Sequence, residues 1–588
     1  MSDLSVLRVD DLPLLYEEIR SLGVQEIVDS KVSVHGNRAG LSLGHLVSLW
    51  LCYMLSESDH RLSSVEEWAS TNLVVLKSLS GQYELRAKDF TDDRLEQALD
   101  YLSPDLEWLG ISNALNARSL SVYQLDEDQT VRLDAAPMQG HHQVEPGGLF
   151  QYGYSKHHNG QLGQLKVKLA SMDNALNGFG YPLAHLVVSG EQSDDQLYIP
   201  ILAQCEATFA HAGHSGRKLY VGDSKMGSKE IRDYIVQSGN DYLLPLSKKQ
   251  LSQAQRVQQI EAHQASTYQK VYKTDKKGKR KLVAQGFEGR ITRSYIHQGQ
   301  SHQYTERQIF VLSTTYAQSA QKALDRHLAE AEETLTQLLI PKQGKQLPKT
   351  EAELQEKIQE ILSGKGLQKL LEVSIEAQEQ HRKIRPYKDR PARVESTTTF
   401  LLDIQRNEQA IEAHKQTLGW QVYATTVSQE QLPLEACVWK YRQQNRVESR
   451  FHDLRNKVVP LLPIFLEKDH RIQALIHLLM ICLKVCAMIE YKIAYQLSQD
   501  QQELDQIFEG NPKKATKTPT AKRLLRKFRG ISVVIMPQQR TKLPKVMITQ
   551  LSPIQLKILD LGGFNPDIYH NLPYKINLYF SQLQISET

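Results

Sequence analysis

QTVRLDAA, residues 129–136, is a short apolar run that leads into an acid, Asp134. The same pattern returns in KLYVGDSK, residues 218–225, where Asp223 follows the apolar letters. Both runs predict β-strands, so each carboxylate would emerge where a strand ends. Carboxylates are the ligands that Mg²⁺ prefers in proteins, and a pair of them could hold such an ion. A single aspartate at a strand end is usually a turn residue, so the pair needs a third partner to indicate a site.

The stretch from 123 to 247, which contains both acids, alternates between strands and helices. LKVKLASM and LAHLVVSG predict strands, and SDDQLYIPILAQC and SKEIRDYIVQSG predict helices. DYLLPLS predicts one further strand. This order predicts an α/β fold in which helices cover a sheet.

The predicted secondary structure changes several times along the rest of the chain. A chain of 588 residues is also too long for one ordinary hydrophobic core. Apolar spacing predicts helices before residue 122, then a strand pair and a helical hairpin after residue 248. Strand patterns return in STTTFLLDI and GWQVYATTV. We therefore predict a helical N-terminal domain for DNA binding or assembly at 1–122, a core in two parts at 123–247 and 396–460, an insertion at 248–395, and a helical, basic C-terminal domain at 461–588.

Composition bears on the binding partners and the cellular compartment of the protein. The formal net charge is only +4, which is compatible with nucleic-acid binding through local patches but does not require it. Five scattered cysteines show neither zinc-site nor disulfide spacing, and a reducing cytoplasm fits them best. The N-terminus lacks a signal pattern. The apolar run at 472–489 contains His477 and Lys484, and its apolar residues repeat at helical spacing, which favours a buried helix over a membrane span.

YRQQNRVESRFHDLR, residues 441–455, offers the third acid, Glu448. If the segment is one helix, Glu448 shares a narrow face with Tyr441 and Arg455. An adjacent apolar stripe contains Val447, Phe451, Leu454 and Val458, and a third side carries Arg442, Arg446, Arg450 and Lys457. One interpretation is a surface helix whose charges serve solubility. The other places the carboxylate on a metal ion beside an anionic backbone that the arginines hold.

Asp134, Asp223 and Glu448, each in its surrounding sequence, resemble the acid triad of the DDE transposases of bacterial insertion sequences. The likeness is to the insertion-sequence-4 group, whose Tyr-Arg-Glu-Lys signature, Y-x2-R-x3-E-x6-K, would begin at Tyr441. The arginine position of the signature holds Gln444 here, and the lysine position holds Arg455. The segment at 152–170 is similar to a G-Y-S-K-x-H stretch that these enzymes carry between the two aspartates.

This resemblance implies an RNase H-like catalytic core with an insertion between the second aspartate and the glutamate. It implies cutting and joining of the element's DNA ends with Mg²⁺ or Mn²⁺, two ions held by Asp134, Asp223 and Glu448. The expected partners are the double-stranded terminal inverted repeats and target DNA, bound by a homodimer or higher multimer. The expected setting is the bacterial cytoplasm, associated with the nucleoid.

Several other residues have two possible roles at this stage. Tyr441 and Arg455 would contact or orient the phosphate beside the scissile bond. Arg442 and Arg446 would neutralise DNA backbone or merely solvate their helix. Trp420 stands where hairpin-forming relatives stack a flipped base, although a core tryptophan is the simpler interpretation. Lys522 and Arg526 belong to a basic run, 513–529, that would contact phosphates or form a solvated face.

Histidine pairs at 141–142, 157–158 and 211/214 lack partners at zinc-site spacing, and we interpret them as polar or DNA-facing residues. The leading functional hypothesis is a metal-dependent transposase. The alternatives are a DNA-binding derivative that no longer cuts and a stand-alone nuclease of the same fold. An intact triad argues against the derivative, because neighbouring carboxylates repel one another without a cation. Short inverted repeats flanking the coding sequence would favour the transposase over both alternatives.

Overall fold

The computed structural model describes residues 4–35, 40–123, 129–153, 161–173, 176, 180–275, 278–342, 346–384, 393–456, 458–538 and 543–586. The chain divides into two compact units. The first unit comprises Met1–Leu244, Tyr295–His302 and Trp439–Thr588, and the second comprises Pro245–Ser294 and Gln303–Val438. His157, His158 and Lys457, which the sequence analysis named, lie outside the described residues.

The helices are α1 Leu12–Ser21, α2 Val24–Lys31, α3 Leu43–Glu57, α4 Val65–Ser80, α5 Asp92–Leu102, α6 Asp105–Tyr123, α7 Tyr198–His211, α8 Lys229–Gln237, α9 Gln253–Glu261, α10 Thr314–Thr336, α11 Glu351–Lys365, α12 Glu408–Thr417, α13 Leu434–Arg442, α14 Asn445–Asn456, α15 Asp469–Gln499, α16 Ala521–Leu525, α17 Pro553–Leu561, α18 Asp567–His570 and α19 Leu572–Ser586. The strands are β1 Ser5–Arg8, β2 Thr130–Gly140, β3 Gly163–Asp173, β4 Gly180–Ser189, β5 Leu219–Val221, β6 Asp241–Pro245, β7 Gln269–Thr274, β8 Arg280–His297, β9 Gln300–Ser313, β10 Leu371–Ile384, β11 Arg393–Arg406, β12 Trp420–Thr425, β13 Ser532–Met536 and β14 Lys545–Ile548.

A mixed sheet at the centre of the first unit confirms the predicted α/β core. Its strands lie in the order β4-β3-β2-β5-β6. The pairs β4-β3 and β3-β2 are antiparallel, whereas β2-β5 and β5-β6 are parallel. Helix α7 lies between β4 and β5 along the chain, and α8 connects the parallel neighbours β5 and β6. This arrangement is that of an RNase H-like core.

Burial explains why the strands occupy these places. Every residue of β3 is buried, as expected for a strand with neighbours on both sides and both faces covered. Two lysines, Lys166 and Lys168, nevertheless belong to this strand. Because residues two apart on a strand point to the same face, both lysine side chains leave the sheet together. That face carries part of the candidate site.

The N-terminal and C-terminal regions of the first unit pack together. The predicted helices before residue 122 are present, but β1 was not predicted, and it pairs with β13 in a three-stranded sheet, β1-β13-β14. Lys492 of α15 forms an ion pair with the fully buried Glu18 of α1. Helix α15 is long and apolar enough to span a membrane, yet 94% of its most apolar window is buried inside the protein. A core helix, as the sequence indicated, accounts for this packing.

The second unit holds β12, β9, β8 and β7 in that order, together with a separate hairpin of β10 and β11. Helices α10, α11 and α12 pack on this hairpin through a core that includes Leu328, Leu354 and Ile411. STTTFLLDI, predicted to return to the catalytic core, instead lies in β11 and pairs with β10 along its length. The sequence did not reveal β10, because exposed glutamates such as Glu372 and Glu376 interrupt its apolar residues.

Candidate active site

Asp134 lies within β2, and Asp223 lies just beyond the end of the neighbouring parallel strand β5. In the register of β2 and β5, Arg132 is paired with Val221, and each aspartate follows its member of this pair by two residues along the chain. The two carboxylates therefore leave the sheet at the same level and on the same face. Asp134 is half-buried, and its Oδ1 accepts a hydrogen bond from the amide of Ala135 at 2.8 Å.

Asp223 is held through one of its two oxygens. Oδ1 accepts a hydrogen bond from Tyr198 Oη at 2.7 Å and another from the amide of Lys225 at 2.9 Å. The second bond caps the short 3-10 helix that begins at Ser224. Oδ2 has no hydrogen-bonding partner among the residues that the structure describes. One carboxylate oxygen is thus fixed by the protein and the other is available to a ligand.

Lys168 is a buried cation beside the two aspartates that sequence reasoning missed. Its Nζ lies 3.3 Å from the ring centroid of Tyr198, and the residue is only 1% exposed. Burial lowers the pKa of its ammonium from 10.5 to about 8, and the Asp223 and Asp134 carboxylates oppose this shift. The signal in the sequence was a pair of lysines inside an apolar strand, LKVKLA.

The signature segment is two helices rather than one, which corrects the predicted face. Helix α13 ends at Arg442, residues 443 and 444 form a turn, and α14 begins at Asn445. Tyr441 therefore belongs to a different helix from Glu448 and Arg455. The predicted apolar stripe is confirmed, since Val447, Phe451, Leu454 and Val458 are all buried.

Two hydrogen bonds fix the segment to the strand that carries Asp134. Gln444 Nε2 donates to the carbonyl oxygen of Leu133 at 3.1 Å, and Arg455 Nη2 donates to that of Pro137 at 3.3 Å. Glu448 stands between these two anchors, in the first turn of α14. Its side chain is exposed and has no hydrogen-bonding or ion-pair partner within the described part of the chain.

Asp134 faces this helix. Arg132 and Asp134 share one face of β2 because they are two residues apart. The Arg132 guanidinium contacts Gln443 at 3.4 Å and Gln444 at 3.5 Å. In the described ranges, however, no three histidine, cysteine, aspartate or glutamate side chains lie close enough to hold one metal ion together. The structure thus pairs the two aspartates and turns them toward α14, but it does not close a three-acid cluster.

Arg446 and Arg450 are core residues, which corrects their expected place on a positive surface. Arg446 Nη1 lies 3.0 Å from Asp173 Oδ2, and Arg132 Nη2 lies 2.8 Å from the same oxygen. Arg450 Nη2 lies 2.7 Å from Glu490 of α15. Both side chains are at most 7% exposed, so neither can reach DNA as placed. They join α14 to the sheet and to α15.

The other signature residues remain accessible. Tyr441 is half-buried near the end of α13. The guanidinium of Arg442 lies 5.6 Å from the ring of Trp439, in the range of a cation–π contact. Arg455 lines a cavity of about 1080 Å³ together with residues of 139–150 and 462–470. His142, on the same cavity, stacks on Phe150 with ring centroids 4.0 Å apart.

Trp420 lies in the second unit and is 9% exposed. Its indole donates a hydrogen bond to the carbonyl oxygen of Gln416, and its ring packs edge-on against Phe287 at 5.7 Å. These contacts fit the interpretation of Trp420 as a core residue. Stacking of Trp420 on a flipped base stays a prediction.

The basic run near the C-terminus is mostly irregular rather than helical. Only α16 and a following 3-10 turn, Arg526–Phe528, are helical within it. Lys514 and Arg523 flank the ring of Phe508 at 4.4 and 4.6 Å. Arg526 is exposed and forms an ion pair with Glu509 at 3.0 Å, whereas Lys522 is half-buried.

Comparison with known families gives this geometry a context. A family model described as "Transposase DDE domain" matches residues 126–484, more than half of the chain. The chain belongs to this family of DDE transposases. A second model, described as "Domain of unknown function (DUF4277)", matches residues 4–107 of the transposase. A search of curated proteins finds no match. Transposases of this family bind DNA, act as nucleases in transposition and generally use divalent metal ions.

Proposed function

We propose that this transposase cuts and joins the DNA ends of a bacterial insertion sequence, by phosphodiester hydrolysis followed by strand transfer. The observation that supports this most is the pair of carboxylates, Asp134 and Asp223, each two residues beyond the last paired residues of the parallel strands β2 and β5. The hydrogen bond from Gln444 to Leu133 holds the helix of Glu448 against the same strand. These contacts support a centre to which acids from three distant parts of the chain contribute.

We assign Asp134, Asp223 and Glu448 as ligands for Mg²⁺ or Mn²⁺, with two ions in the working site. The donor chemistry fits, because Asp223 Oδ2 and the exposed Glu448 carboxylate are oxygen ligands without protein partners in the described structure. When bound, such ions activate the attacking water or hydroxyl and stabilise the leaving oxygen. Glu448 joins the aspartate pair from its helix when DNA and cations are present.

The protein's own side chains hold and orient the DNA. Arg455 and Tyr441 contact the phosphate beside the scissile bond, and Arg442 neutralises phosphates further along the DNA strand. Lys522 and Arg526 bind phosphates outside the centre. The buried ion pairs of Arg446 and Arg450 keep α14 in place, so that its exposed face meets the DNA in a fixed orientation.

We place the transposase in the insertion-sequence-4 group, on its Tyr441, Glu448 and Arg455 signature positions. The arginine position holds Gln444, whose Oε1 lies 3.5 Å from the guanidinium of Arg132 on β2. The proposed DNA partners are the terminal inverted repeats and the target duplex. A homodimer or higher multimer on paired ends, in the bacterial cytoplasm with the nucleoid, would perform the reaction.

The experiment that tests this function incubates the purified full chain with its native flanking DNA and Mg²⁺, then maps the nicks and any joined products. We expect nicks at the element ends and joining to a target duplex. Cleavage without joining would indicate a nuclease instead. Binding of the ends without any cleavage, with either Mg²⁺ or Mn²⁺, would indicate a derivative that no longer cuts.

A further inference from the structure

Asp223 is supported by a hydroxyl that reaches it from another element. Tyr198 is the first residue of α7, it is 1% exposed, and its Oη donates to Asp223 Oδ1 at 2.7 Å. A carboxylate oxygen can only accept, so the phenol hydroxyl is the donor in this contact. The amide of Lys225 donates to the same oxygen. Both donors therefore leave Oδ2 as the oxygen that can face a cation.

The ring of Tyr198 is itself held in place. Lys168 Nζ lies 3.3 Å from its centroid, and a desolvated cation is attracted to the face of an aromatic ring. The neighbouring Lys166 forms an ion pair with Asp194 at 3.2 Å, just before α7. The two lysines of β3 thus position the start of α7. Tyr198, the first residue of α7, in turn positions the carboxylate of Asp223.

We propose that Tyr198 is a positioning residue that fixes Asp223 as a one-oxygen metal ligand, with Lys168 holding the phenol ring. This inference rests on the proposed function, because it concerns the same centre. Partners that hydrogen-bond a ligating carboxylate fix its orientation, and their loss typically weakens metal affinity or activity by about 10- to 100-fold. No covalent step is assigned to Tyr198 or Lys168.

Tyr220 provides a matched control within the same unit. It is also buried, at 1% exposed, and its hydroxyl donates to a carboxylate, that of Glu206. Glu206 keeps a second hydrogen bond from Asn240 Nδ2 at 2.9 Å when the phenol is removed. The variants Tyr198→Phe and Tyr220→Phe therefore delete the same chemical group from equally buried tyrosines, but only the first touches a proposed metal ligand.

The test measures Mn²⁺ binding to the full chain without DNA, by electron paramagnetic resonance, and the Mg²⁺ concentration that gives half-maximal nicking of an end-containing duplex. We expect Tyr198→Phe to weaken Mn²⁺ binding about 10- to 100-fold and to raise the required Mg²⁺ concentration in proportion. Its melting temperature should fall no further than that of Tyr220→Phe, which should bind Mn²⁺ like the wild type.

Asp223→Asn separates the failure of this inference from the failure of the proposed function. If Asp223→Asn abolishes Mn²⁺ binding and nicking while Tyr198→Phe matches the wild type, the positioning role is wrong and the metal centre stands. An equal loss of Mn²⁺ affinity in Tyr220→Phe and Tyr198→Phe would also overturn the role, since it would reflect general packing. If Asp223→Asn itself binds Mn²⁺ and cuts normally, the proposed centre fails.

Discussion

Gln444 Nε2 donates a hydrogen bond to the carbonyl oxygen of Leu133 over 3.1 Å, which joins the turn before α14 to the residue before Asp134. This one contact links the segments that carry two of the three proposed ligands, because Asp134 follows Leu133 and Glu448 lies one helical turn beyond Gln444. The position that holds arginine in the signature therefore has a structural task in this chain. It fixes the distance between a strand and the helix that carries an acid.

We expect Gln444→Ala to lower the rate of DNA cleavage by roughly tenfold, since a lost hydrogen bond of about 1.4 kcal/mol would loosen the start of α14. DNA binding should be unchanged, because no phosphate contact is removed. Single-turnover cleavage and a binding titration measure the two effects. Gln443→Ala is the control, because the side chain of Gln443 contacts Arg132, whereas the Leu133 carbonyl accepts its hydrogen bond from Gln444. Equal cleavage rates for the two variants would contradict the structural role of Gln444.

Asp173 lies between two buried guanidiniums, those of Arg132 and Arg446. We expect Asp173→Asn to reduce the free energy of unfolding by about 3–5 kcal/mol, because the two buried cations would lose the carboxylate that they share. Urea denaturation measures the loss. Asp453→Asn is the control, since its partner Arg450 keeps the ion pair with Glu490. A loss no larger than that of the control would show that the Asp173 cluster does not stabilise the fold.

Lys522→Ala and Arg526→Ala should weaken binding of end DNA and reduce its dependence on salt. Each phosphate contact that is lost lowers the slope of log K against log salt concentration by about 0.9. Fluorescence anisotropy at several salt concentrations measures that slope. Lys545→Ala, at an exposed lysine on β14, is the control and should leave the slope unchanged. If Lys522→Ala and Arg526→Ala also leave it unchanged, the basic run is a solvated surface.

Lys484 of α15 is fully buried, and its ammonium donates to Asn116 Oδ1 and the carbonyl oxygen of Pro182. Burial lowers its pKa from 10.5 to about 7. Between these two values the unfolded chain binds the proton and the folded chain does not, so deprotonation relieves the burial cost as pH rises. The contribution of Lys484 to stability should therefore increase from about pH 7 to pH 10.5, by at most about 1.4 kcal/mol per pH unit.

Lys484→Met should remove that contribution. Chemical denaturation at several pH values between 7 and 10 compares the variant with the wild type. We expect the free energy of unfolding of the variant to rise less with pH than that of the wild type. Parallel curves would mean that Lys484 keeps its proton in the folded protein throughout this range.

The sequence could predict those parts of the site that depend on local pattern. The apolar run before each acid indicated the strands β2 and β5, and Asp223 does follow the end of β5. The predicted strand end at Asp134 is wrong, because β2 continues to Gly140 through its pairing with β3. The spacing of Val447, Phe451 and Leu454 indicated the buried face of α14. Charge alone could not show that Arg446 pairs with Asp173, because a buried and a solvated arginine look the same in a sequence. The pairing of β1 with β13 joins segments more than 500 residues apart, which no local period reveals.

Other features depended on context that periodicity lacks. A continuous helix through 441–455 satisfied the apolar spacing, yet the chain turns at residues 443 and 444, where Gln443 and Gln444 contact Arg132 and Leu133. Tyr198 and Lys168 read as ordinary members of a helix and a strand. Only the fold shows that the two side chains meet beside Asp223.

Cleavage of an end-containing duplex in Mg²⁺ by the single variants Asp134→Asn, Asp223→Asn and Glu448→Gln tests most directly whether the three acids form one catalytic centre. We expect each variant to lose cleavage while its melting temperature and its affinity for the DNA end stay close to those of the wild type. Full cleavage activity in any one of the three would remove that residue from the centre and contradict the proposed mechanism.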